Sequence, residues 1–99
     1  MKVTEVKIYP VNEERLRAYV TLTFDNVFVV RDLKIINGNT GLFVAMPSKK
    51  RKDGQFRDIA HPLNQDFRTE IEKAIFDAYE AEVTAMGKSL EDIKKDDYE

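Results

Sequence analysis

The sequence has no cysteine and no tryptophan. Without cysteine there is no disulfide framework, no thiolate metal site and no thiol nucleophile. His61 is the only histidine, which leaves little for a histidine metal site or a catalytic pair. Apolar runs are short, and none approaches the roughly 20 residues that span a bilayer. The N-terminal MKVTEVKIYPV lacks the long apolar segment of a signal peptide. The expectation is a soluble, cytoplasmic chain with no membrane partner. Proline and glycine are also scarce, so the few that occur punctuate the chain clearly. No G-x-S-x-G, P-loop or dinucleotide fingerprint is present, and no internal repeat. Catalysis, a metal and a cofactor therefore have no support, and none is expected.

What is present is a globular pattern. The apolar fraction is 42% over 99 residues, too high and too periodic for a disordered chain. One domain over residues 1–87 is expected, followed by an acidic tail, 88–99, that has room for a short helix. The core must be small, and burial in an oligomer would help it. The net charge of −2 hides an asymmetry. Residues 1–65 carry +4 and residues 66–99 carry −6. An anionic partner would meet the front of the chain, unless the acidic part serves only solubility.

Alternation marks the strands. Val3 to Val11 reads as a first strand, with Pro10 suited to its end. Leu16 to Phe24 is the clearest. Leu16, Ala18, Val20, Leu22 and Phe24 share one face, and Arg15, Arg17, Tyr19, Thr21 and Thr23 share the other. Asp25-Asn26 suits a two-residue hairpin turn, because both residue types tolerate left-handed backbone. Val27 to Ile36 then returns. A two-residue turn would set Phe24 opposite Val27, Leu22 opposite Val29 and Leu16 opposite Ile35. That register places Arg31 beside Val20, and a longer loop would flip the faces.

Asn37 to Gly41 is a turn cluster, and Leu42 to Met46 is apolar on both alternate sets. Such a strand is central, or its second face is covered by a helix or another subunit. One long helix is expected between Pro62 and Gly87. Asn64 is the N-cap candidate, and Phe67, Ile71, Ala74, Ile75, Ala78 and Glu82/Val83 follow helical spacing. Gly87 would stop the helix, and Ser89 with Asp92 would open another turn or two over Leu90 to Lys95. The fold class is α+β: an antiparallel sheet of four to five strands with a C-terminal helix packed on one face.

Between Pro47 and His61 lies the most basic stretch, with Lys49, Lys50, Arg51 and Lys52 in a row. Only Asp53 is adjacent to neutralise them, and Asp53-Gly54 supplies a turn. Like charges repel, and a phosphate backbone relieves that repulsion with release of counterions. Arg57 would fall beside them on the returning segment. A solvated surface loop has the same composition, and the residues alone leave both readings open. Phe43 and Phe56 flank the loop. Exposed, either ring would stack on an unpaired base; the expectation is that both are core residues, and that Tyr19 is the exposed ring. His61 is read as structural, bonding backbone at the corner that Pro62 fixes. Asp58 is read as a packing residue that pairs with Arg31 or Lys34 across strands. An enzyme built on His61 and Asp58 is the weakest reading.

The block GLFVAMPSKK followed by DGQFRDIAHPLN resembles the signature of the stage V sporulation protein G (SpoVG) family of septation proteins. Val3-Thr4-Glu5-Val6, Arg17-Ala18, Phe28-Val29-Val30 and Asp32-Leu33 agree, so the resemblance covers about residues 1–80. It implies a small bacterial cytoplasmic protein linked to septation, cell division and sporulation, and a regulator that binds DNA and RNA. It also implies a homodimer through strand pairing, and nucleic-acid contact by the cations after Met-Pro-Ser. Here those are Lys49 and Lys50, with Arg51, Lys52 and Arg57 joining from the residue reading. The family commonly has Thr-Pro before Asp-Gly, where this chain has Arg51-Lys52. The loop gains charge and loses a proline's stiffness, which implies stronger backbone attraction and less fixed geometry. An interaction module of the division machinery, working through a sheet edge or the acidic helix face, is the alternative.

Overall fold

The structure is a computed structural model that describes residues 1–11 and 13–85. The expected stop at Gly87, the turn at Leu90 to Lys95 and the acidic tail lie outside the described residues. Four strands form an antiparallel sheet in the order β1-β2-β3-β4: β1 (Val3–Pro10), β2 (Leu16–Phe24), β3 (Phe28–Gly38) and β4 (Gly41–Ala45). A separate two-stranded ribbon follows, β5 (Ser48–Lys50) with β6 (Phe56–Asp58). One helix, α1 (Gln65–Ala85), covers one face of the sheet, chiefly over β1. The class is α+β, as the patterning predicts.

The core lies between that sheet face and α1. Val20, Leu22, Leu33, Ile35 and Val44 point inward and are fully buried, and Ile71, Ile75, Tyr79 and Val83 meet them from the helix. Burial of each large aliphatic side chain contributes about 1.5–3 kcal/mol. Asn64 caps the helix as expected: its Oδ1 accepts from the Phe67 amide at 2.7 Å. The Phe67 ring then packs on Phe24, centroids 6.0 Å apart. The buried helical stripe runs every fourth residue through Tyr79. That ring was absent from the expected stripe, whereas Glu82 is exposed. The Tyr79 hydroxyl is buried and has no hydrogen-bond partner among the described residues.

The β2–β3 register differs from the expected one. The loop is Asp25 to Val27, one residue longer than a two-residue turn, and Phe24 pairs with Phe28. Asp25 and Asn26 do adopt left-handed backbone, with φ of 51° and 58°. The turn is latched to β1 by the Lys2 amide on Asp25 Oδ1 (3.0 Å) and the Asn26 amide on Thr4 Oγ1 (3.0 Å). Further along, Leu22 pairs with Val30 but Val20 pairs with Leu33, so Arg31 and Asp32 together oppose Thr21. This is a β-bulge, and Asp32 takes φ 66° to make it. Its physical role is clear from the sequence of β3. Strict alternation from Val30 would send Asp32 and Lys34 into the core. The extra residue lets Val30, Leu33 and Ile35 all face inward, and the longer turn has already set Arg31 opposite Thr21, away from Val20.

A second irregularity sits between Leu16 and Ala18. It takes Arg17 out of the wet face where alternation put it. Arg17 is 3% exposed, and its Nη1 donates to the Glu13 carbonyl at 3.3 Å. Of the placements expected for β4, the central one is excluded, because it is an edge strand of this sheet. Val44 and Met46 face the core, whereas Phe43 on the other set is 45% exposed. The neighbours of Phe43 on its own face, Gly41 and Ala45, are small and offer its ring little to pack against. Its ring lies over Gly38, where an added Cβ would meet Phe43 Cε1 at 2.9 Å.

Candidate nucleic-acid interface

Pro47 has no amide hydrogen to continue the β4 ladder, and the chain leaves the sheet there. The ribbon that follows is tied at its base by the Ile59 amide on the Pro47 carbonyl, 2.7 Å. Its three paired positions are Ser48 with Asp58, Lys49 with Arg57, and Lys50 with Phe56. Half of the basic run is thus strand rather than loop. Arg51 and Lys52 form the tip with Asp53 and Gly54. The Gly54 amide donates to the Arg51 carbonyl (3.0 Å) and the Arg51 amide to the Gln55 carbonyl (2.7 Å). Asp53 Oδ1 accepts from the Gln55 amide at 3.0 Å, so this carboxylate is spent on the turn. Gly54 sits at φ 89°, where a side chain would be strained.

All five candidate cations are exposed. Lys49 and Lys50 come from β5, Arg51 and Lys52 from the tip, and Arg57 from β6. They line one shallow concavity together with Asp58 and Ile59. Among the described residues, the ion pairs are Lys7–Glu5 at 3.8 Å and Lys73–Asp77 at 2.7 Å, so none of the five is internally paired. In the second pair, the hydrogen bond and the charge of Asp77 raise the Lys73 pKa above its ordinary value. Asp58 makes no ion pair with Arg31 or Lys34. It faces Ser48 in the ribbon instead.

Phe56 is the largest correction near the site. It is 71% exposed, not a core residue. The signal was legible: its same-face neighbours in sequence are Gly54 and Asp58, so no apolar stripe exists for it to join. Tyr19 is exposed as expected, opposite Tyr9 on the uncovered sheet face. His61 lies at the corner before α1, its Nδ1 3.0 Å from the Pro62 carbonyl, in line with a structural role. Among the described residues, no group of three or more His, Cys, Asp or Glu could hold a metal ion. No helix among them is long and apolar enough to cross a membrane.

Comparison with known proteins agrees with the block at Gly41 to Asn64. A family model described as SpoVG matches residues 1–81, which include the whole ribbon. The chain is 70% identical over 95 residues to a protein of Bdellovibrio bacteriovorus named "Putative septation protein SpoVG", covering 96% of this chain and 88% of that one. Proteins of the same name are 60% identical in Anaeromyxobacter sp. (88% of this chain, 86% of the relative) and 54% identical in Caldicellulosiruptor saccharolyticus (86% and 98%).

Proposed function

The chain belongs to the SpoVG family, and from that premise we propose that it is a nucleic-acid-binding regulatory protein whose basic ribbon holds phosphates. Lys49, Lys50, Arg51, Lys52 and Arg57 are the phosphate-binding residues of this reading. One observation carries it: Lys49 and Arg57 are cross-strand partners, exposed, with no acidic side chain paired to either. A two-stranded ribbon of this kind also matches the width of a duplex major groove, which admits either a helix or two strands. The septation names of the relatives support a role linked to cell division; the reading adds sporulation control and a cytoplasmic location. The protein acts by binding DNA or RNA and not by catalysis. A homodimer formed by strand pairing would present two ribbons, which makes binding steep in salt.

The test is a salt titration of binding with Lys49→Ala combined with Lys50→Ala. Affinity should fall across unrelated sequences, and the salt slope should drop by about 1–2 per subunit. An unchanged affinity in that double variant removes the ribbon from the binding surface.

A second reading makes the chain an interaction module of the division machinery. The outward face of α1 favours it, since Glu70, Asp77 and Glu80 are all exposed there. If charge reversal at these positions abolishes partner capture while the ribbon variants behave normally, this second reading replaces the first.

A further inference from the structure

The ribbon carries more than cations. Register places Lys49 and Arg57 on one face, and Lys50 and Phe56 on the other with Ser48 and Asp58. Phe56 projects from a strand whose three residues are all exposed, and it touches no part of the core. An exposed ring in a cationic surround limits what its partner is. An apolar protein surface that covered Phe56 would also strip water from Lys50 across the ribbon, a desolvation cost that an apolar surface does not repay. A duplex offers phosphates but keeps its base faces stacked. A single strand offers both groups at once: phosphates for the cations, and a flat base for the ring.

We propose that the β5–β6 ribbon takes unpaired bases, with Phe56 stacking on one base of a single-stranded segment while Lys50 and the tip cations Arg51 and Lys52 hold the flanking phosphates. The proposal rests on the phosphate reading of the ribbon and adds the class of ligand. It also gives the Arg51-Lys52 tip a purpose. An exposed, highly charged tip beside an exposed ring matches the alternating phosphates and bases of a single strand.

The experiment uses the full chain with three probes: a single-stranded DNA oligomer carrying 2-aminopurine, the RNA oligomer of matching sequence, and a duplex of the same DNA sequence. Phe56→Leu keeps bulk and removes the ring; Phe56→Tyr keeps the ring. The expected result is a loss of about 5- to 150-fold in single-strand affinity for Phe56→Leu. Its salt slope and duplex affinity should be unchanged, and Phe56→Tyr should restore the single-strand value. Wild type should quench 2-aminopurine fluorescence, and Phe56→Leu should not. Comparable losses on the DNA and RNA oligomers would mark stacking that ignores the sugar; a loss on one alone would assign the ring to that strand type.

Equal affinity of Phe56→Leu and wild type for both single strands overturns the proposal, as does an equal loss on single strand and duplex. A shift of Phe56→Leu to a smaller species in sedimentation also overturns it, because the ring then belongs to a subunit interface. Failure of the phosphate reading looks different: wild type binds none of the probes, or the Lys49/Lys50 double variant binds like wild type.

Discussion

Lys49 stands directly across the β5–β6 ribbon from Arg57, two like charges held side by side in a ladder. Like charges directly opposite in a sheet cost roughly 0.2–1 kcal/mol. Among the described residues nothing offsets this, since Asp53 is turned into its own loop and Asp58 faces Ser48. The ribbon is therefore less stable alone than it would be beside an anion. This separates a binding role from a structural one, because the two predict opposite signs when a cation is removed.

Arg57→Ala tests that sign. It should weaken binding to DNA and RNA irrespective of sequence and lower the salt slope by about 0.7–0.9. Thermal stability should stay the same or rise slightly, because a repulsive partner is gone. A fall in melting temperature would instead make Arg57 a structural residue of the ribbon. Binding isotherms at several salt concentrations and a melting curve on one preparation settle both points.

Asp32 is predicted to be the most conformationally demanding position of β3. Its φ of 66° lies in the left-handed region, which glycine adopts freely and β-branched residues resist. Asp32→Val should cost about 1–2 kcal/mol in urea unfolding, and Asp32→Gly should be neutral or mildly stabilising. Deletion of Asp32 should leave the inward faces intact, because Arg31 alone then opposes Thr21 and Leu33 and Ile35 still face the core. Equal stability of the valine and glycine variants would contradict the bulge.

Tyr79 makes a prediction of two parts. Its ring is 2% exposed and its hydroxyl has no partner among the described residues. Tyr79→Phe removes only the unsatisfied group, so stability should hold or rise, by up to about 1–3 kcal/mol. Tyr79→Ala empties the ring's volume and should cost about 3–5 kcal/mol, in line with aromatic truncations in other cores. Chemical denaturation of the two variants beside wild type decides it. A clear loss in Tyr79→Phe would mean that the hydroxyl is bonded in solution.

Much of the fold was legible as pattern. β2 carries apolar residues at every second place, and its limits are those the alternation marks. Asn64 is a cap by its chemistry and its place before the helical spacing. The site's cations were legible too, because an uninterrupted basic run has few internal uses. Phe43 and Phe56 look like core residues only when hydrophobicity is taken one residue at a time. Their neighbours two places away, Gly41 and Ala45 for one and Gly54 and Asp58 for the other, carry the better signal.

Local sequence by itself determined the elements, the turn at Asp53-Gly54, the helix cap and the clustering of charge, because each depends on neighbours within a few residues. Tertiary structure alone decided the β2–β3 register, the burial of Arg17, and the pairing of Lys49 with Arg57 and of Lys50 with Phe56. A strand's faces are set by counting in twos, and one extra residue at Asp32 resets the count. Only the packed core, which must keep Lys34 out and bring Leu33 in, chooses where that residue goes.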